Sequence, residues 1–173
     1  MQPDLRRLHD RTDGYREHRK SVRRLFYGVA VDRVLVSGNT AEGCYNQVIA
    51  LSAASYDSII NANVIRDYNG YAIRLFTNCN AVSITGNTLR GMRGTSPTNT
   101  PIAGESSNAV KTAQNIVLQD QTRPVGILYS GTSTGGMIDG NLIAGFATPV
   151  SQPAQKLGGQ LWRGARLYTA IVA

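Results

Sequence analysis

Asparagine stands behind a small residue at four places that keep step: Gly38-Asn39, Ala62-Asn63, Gly86-Asn87 and Gly140-Asn141. The first two intervals are 24 residues each and the third is 54. A second marker travels with the first, because Ile49, Ile73 and Ile127 precede Asn63, Asn87 and Asn141 by 14 residues each. Self-similarity in this range belongs to solenoids, in which each repeat buries its apolar edge only against its neighbours.

The spacing inside each repeat identifies the solenoid. Val36, Ile60, Ile84 and Ile138 share one column, and Val34 and Val82 share another with Ser58 and Gly136. Half a repeat later come Ile49, Ile73 and Ile127, followed by a column of Tyr27, Leu51, Leu75 and Tyr129. Apolar sites within each run lie two apart, which is the period of a strand with alternate side chains facing inward. The runs are short and punctuated by Gly, Asn, Asp and Thr, the residues of turns. Two or three short strands per coil of about 24 residues describe an all-β parallel β-helix.

The turn columns carry the same period. Gly43, Asp67, Gly91 and Gly145 each follow an Asn by four residues, at a position that calls for positive φ. The column Gly38, Ala62, Gly86 and Gly140 reads as a tight inward corner. Asn39, Asn63, Asn87 and Asn141 then form a hydrogen-bonded ladder on backbone groups that no sheet reaches. The 54-residue interval reads as 24 plus 30, one further coil with about six extra residues. Asn115-Ile116-Val117-Leu118 supplies its strand. The surplus falls in Arg93 to Pro101, which has no periodicity and two prolines, Pro97 and Pro101. A loop bulging from the stack is expected there, as the first place to look for function.

The rest of the chain bounds the argument. Its 173 residues form one core with no dividing linker. Three segments result: a basic N-terminal arm or cap at 1–24, the β-helix at 25–151, and a C-terminal tail or capping strand at 152–173. The arm holds eight of the 18 basic residues against four acids and both histidines. Its interspersed acids and lack of aromatic interleaving argue against nucleic acid and for a docking arm that covers the first coil. No apolar run reaches membrane-spanning length, and the first residues lack the apolar core of a signal peptide. Cys44 and Cys79 fall in different columns and read as two free thiols.

Asn69-Gly70-Tyr71-Ala72-Ile73-Arg74-Leu75-Phe76, Val82-Ser83-Ile84-Thr85-Gly86-Asn87-Thr88-Leu89 and Met137-Ile138-Asp139-Gly140-Asn141-Leu142-Ile143 resemble the repeat of right-handed parallel β-helix proteins of the pectin-lyase-like superfamily. The resemblance covers residues 25–145 and implies the fold. It implies no single activity, since that superfamily includes pectate lyases, polygalacturonases, alginate epimerases, periplasmic assembly proteins and bacteriophage tailspikes. The Asp-Pro-His motif of its epimerases and the Asn-Thr-Asp run of its polygalacturonases do not occur in this sequence.

Seven carboxylates remain outside the arm: Asp32, Glu42, Asp57, Asp67, Glu105, Asp120 and Asp139. Glycosidic cleavage needs two acids on one bond. Glu42 and Asp67, one coil apart, are the candidates, with Glu105 joining if the long loop folds back. Turn geometry already accounts for Asp67, whose column otherwise holds Gly. No metal cluster, phosphate loop or nucleophile-base pair appears, and no cofactor is expected. For carbohydrate the candidates are Tyr45, Tyr68, Tyr71, Arg66 and Arg90, since aromatic faces and guanidinium groups together suit an anionic polysaccharide.

Leu35, Ile59 and Met137 line up on the outside of one strand, interrupted by Ser83, and such a stripe needs cover. Tailspikes of the superfamily associate as three β-helices side by side. The expected protein is therefore a virion tailspike or tail-fibre component, a homotrimer that binds bacterial surface polysaccharide and docks on other virion proteins through the arm. The alternative is a polysaccharide lyase, glycoside hydrolase or epimerase, or a fragment of one.

Overall fold

Short apolar-alternating runs with turn residues between them can bury only one face each, so stacking is their route to a core. The computed structural model describes residues 24–151 apart from Pro97. It is an all-β parallel solenoid of five coils, each contributing strands to three ladders. The first ladder begins with β1 (Phe26–Val29), the second with β2 (Leu35–Ser37) and the third with β3 (Thr40–Glu42). The second coil repeats them as β4 (Ile49–Ser52), β5 (Ile59–Asn61) and β6 (Val64–Arg66), and the third as β7 (Ile73–Leu75), β8 (Ser83–Thr85) and β9 (Thr88–Arg90). Then come β10 (Ile102–Glu105), β11 (Lys111–Ala113), β12 (Ile116–Ser130), β13 (Met137–Asp139) and β14 (Leu142–Ser151). β12 serves two ladders, pairing through Ile116–Leu118 with β9 and through Ile127–Ser130 with β10. Every pairing is parallel.

Inward residues stack in unbroken columns. Val36, Ile60, Ile84, Thr112 and Ile138 form one, and Ile49, Ile73, Ile102 and Ile127 another. The first ladder departs from the sequence reading at its start. Phe26, not Leu25, pairs with Ile49, so Gly28 stands opposite Leu51 and Tyr27 opposite Ala50. Tyr27 therefore leaves the inward column and faces out, and Gly28, Leu51, Leu75, Gly104 and Tyr129 make that column.

The asparagine ladder has five rungs. Asn39, Asn63, Asn87 and Asn115 each donate both a backbone N–H and Nδ2 to the Oδ1 of the next Asn, at 2.9–3.0 Å. The Nδ2 groups of Asn63, Asn87, Asn115 and Asn141 also reach back to Val36, Ile60, Ile84 and Thr112 carbonyls. The long interval thus divides as 28 and 26 rather than 24 and 30. Asn115 was hidden because Gln114, not a small residue, precedes it. Gly38, Ala62, Gly86, Gln114 and Gly140 share φ of +52 to +68°, and all five are exposed. The column selects for the left-handed conformation, not for lack of space: a Cβ on Gly38 would meet nothing within 4 Å.

The two cysteines occupy chemically different columns. Cys79 stacks with Ser55, Ser107 and Ser133 at the first corner, where Ser55 Oγ accepts from Val31 N and donates to Ser52 O, and Ser133 Oγ accepts from Ser107 N and donates to Ser130 O. Burial pushes the Cys79 thiol up, opposed by hydrogen bonds to Ser55 and the Phe76 backbone. Cys44 lies one coil from buried Tyr68 and two from buried Met92, and burial alone raises its thiol. Cys79→Ser should therefore keep stability to within about 1 kcal/mol, since a hydroxyl finds the same partners. Cys44→Ser should cost about 1–3 kcal/mol for a buried hydroxyl among apolar neighbours. Urea melts of the two variants check this, and equal losses would show that the columns do not differ.

Candidate functional site

Two of the coils carry their extra residues between the third ladder and the first, and among the described residues the longest connection between strands lies there. In the third coil this is 91–101, and it does not bulge. Arg93 Nε donates to Asp67 O at 3.0 Å, with Nη2 on the same oxygen, and Asn99 Nδ2 donates to Asn69 O at 3.1 Å. Gln119 clamps Met92 from the next coil, accepting from its N–H and donating to its carbonyl, both at 2.8 Å. Gly94 lies so close to the second coil that a Cβ would fall 1.8 Å from Asn69 O. These bonds satisfy the backbone that a projecting loop would leave to water, so the surplus is folded flat. Among its described residues Arg93, Thr95, Ser96 and Thr98 are the exposed ones, leaving a hydroxyl-rich tip.

The residues selected from the sequence are distributed around this corner. Glu42, Arg66 and Arg90 stand in register on the exposed face of the third ladder. Arg90 Nη2 meets Asp120 Oδ1 at 3.2 Å, with both side chains more than half exposed, so the pair contributes little stability. Tyr45 is 63% exposed just past β3. Tyr71 is half-buried two residues before β7. Tyr68 is corrected: it is wholly buried in the core with no partner for its hydroxyl, and burial drives that hydroxyl well above its ordinary range. It cannot touch a ligand on the surface.

The acids do not gather on one bond. Glu42 ends β3, and Asp67 follows β6 at φ +50° as its turn requires. Glu105 ends β10 on the first ladder, where it faces Arg74 rather than the third corner. Among the described residues no group of three or more His, Cys, Asp or Glu could hold a metal.

A second surface was not foreseen. On the outside of the first ladder Tyr27, Ala50, Arg74 and Ala103 form one row. The Arg74 guanidinium lies over Tyr71 at 4.5 Å and over Phe76 at 4.1 Å, and its Nη2 is 3.8 Å from Glu105 Oε2. Arg24 sits over Tyr27 at 4.6 Å, and the Tyr27 and Phe76 rings meet edge-to-face at 6.5 Å. The cluster covers Ala50 completely, although Ala50 faces outward. Alternation already placed Arg74 outside, between Ile73 and Leu75. Its partners come from other coils and the flanking turns, which a linear pattern does not bring together.

No protein-family model matches the chain, and no curated protein matches it at a significant level.

Proposed function

We propose that the chain is a virion component, a bacteriophage tailspike or tail-fibre segment of the pectin-lyase-like kind, with a structural and receptor-binding role toward bacterial surface polysaccharide. The observation that carries this reading is a pair of solvent-facing clusters on a rigid stack: Tyr45 with the hydroxyls of Thr95, Ser96 and Thr98 near the third corner, and Tyr27 with Tyr71 and Arg74 at the first ladder. Tyrosine faces pack on the C–H faces of sugars, and guanidinium groups donate to their oxygens. Glu105 lies on the first ladder against Arg74, away from Glu42 and Asp67 at the third corner, and Asp67 serves its turn at positive φ, which favours binding over turnover.

Assembly as a homotrimer would cover the outward apolar residues. Leu35 and Ile59 are 65% and 43% exposed on adjacent strands. Their stripe is shorter than the sequence implied, because both Ser83 and Lys111 separate them from Met137. The arm at 1–24, which lies outside the described residues except for Arg24, would dock on other virion proteins, and the tail at 152–173 likewise lies outside them.

Sedimentation equilibrium tests the assembly. The expected mass is that of three chains, and Ile59→Asp should reduce it to one, since a buried unpaired charge is costly. A monomeric wild-type chain would remove the tailspike reading. Incubation with capsule, lipopolysaccharide, pectin and alginate should yield no new reducing ends or unsaturated uronates. Turnover abolished by Glu42→Gln, Asp67→Asn or Glu105→Gln would instead make the chain a polysaccharide-degrading enzyme.

A further inference from the structure

We infer that the outer face of the first ladder, centred on Arg74 and Glu105, is a subsite for an uncharged sugar ring carrying adjacent hydroxyl groups. The inference rests on the glycan-binding reading above and names the class of unit bound. Arg74 is held between the rings of Tyr71 and Phe76, so its guanidinium is oriented before any ligand arrives and little freedom is lost on binding. Its separation from Glu105, 3.8 Å, is too long for a hydrogen bond. Both side chains keep solvent contact, at 24% and 51% exposure.

The gap defines what fits it. A group joining the pair must accept from the guanidinium and donate to the carboxylate, and a hydroxyl does both. A sugar carboxylate or phosphate has no proton to donate and is repelled by Glu105, and an amine is repelled by Arg74. Two adjacent hydroxyls can serve the two partners separately. Beside the pair, Ala103 keeps the outward row low, while Tyr27, 45% exposed, offers ring surface for the C–H face of a sugar.

Gel affinity electrophoresis, with mannan, galactan or glucan cast in the gel in parallel with alginate and polygalacturonate, tests the assignment. The expected result is retardation by at least one neutral polymer and by neither acidic one. Arg74→Gln and Glu105→Ala should each weaken that retardation at least tenfold. Glu105→Ala should leave the melting transition unchanged, which separates lost binding from lost fold. Retardation by neutral polymers that survives both substitutions would overturn the subsite and leave glycan binding standing, with the third corner as its seat. Retardation by the acidic polymers alone would overturn the subsite's proposed specificity. No retardation by any polymer would overturn the subsite and the glycan-binding reading together.

Discussion

Asn87→Ala is expected to cost about 3–5 kcal/mol of folding stability, because several buried groups lose their partners at once and each such loss costs about 1–3 kcal/mol. Asn87 Oδ1 accepts both the backbone N–H and the Nδ2 of Asn63, at 3.0 and 2.9 Å. Its Nδ2 donates to Asn115 Oδ1, to Ile60 O and to Thr85 O. Alanine would strand the Asn63 N–H and the Ile60 carbonyl in the interior, where water does not replace what was lost. Asn39 provides the internal control. It is half-buried on the first coil, and no described group donates to its Oδ1, so Asn39→Ala should cost only about 1 kcal/mol. Denaturant melts with unchanged slope separate the two cases. Equal losses at both positions would mean that the amides stack without supporting the coils.

The same ladder shows how far the sequence could be read. Four rungs were legible because Asn behind a small residue is a rare pair repeated at a fixed step. The fifth, Asn115, was not, because the requirement at the preceding position is a backbone angle, and Gln114 meets it at φ +57°. Likewise the step from Phe26 to Ile49 is 23 residues, one short of the repeat. That single residue turns Tyr27 outward and replaces it with Gly28, as a one-residue slip in a strand must.

For the surface, alternation was a sound guide only inside strands. Arg66 and Arg90 lie outside as their place opposite Glu42 indicated. Tyr68 lies in a turn, where alternation gives no direction. The available signal was its column, since Cys44 and Met92 stand one coil away on either side and are both buried. The Arg74 cluster draws on side chains from the first, second, third and fourth coils. Tyr71, Arg74 and Phe76 are close in sequence, but Glu105 and Tyr27 meet them only after the chain has wound.

Gly104→Ala should destabilise the protein by about 1–3 kcal/mol or more, the usual result of overpacking a filled core. Gly104 pairs with Tyr129 on the inside of the first ladder, and an added Cβ would lie 2.4 Å from Tyr129 Cε1 and 2.6 Å from Cδ1. The ring has no easy retreat. It is 2% exposed, and its hydroxyl is bonded across the core to Thr112 Oγ1 at 2.5 Å, which moderates the upward pull of burial on its ionisation. Thr112 is the polar member of an otherwise aliphatic column, so Gly104, Thr112 and Tyr129 form one unit: the tyrosine fills the space the glycine leaves and satisfies the threonine. Residues packed in this way are coupled. In a Tyr129→Leu, Thr112→Val background the column resembles the Leu51 and Leu75 levels above it, and Gly104→Ala should there be nearly neutral. The coupling energy from the resulting double-mutant cycle should reach about 2 kcal/mol. If Gly104→Ala costs the same in both backgrounds, the glycine is required by its own backbone and not by the ring beneath it.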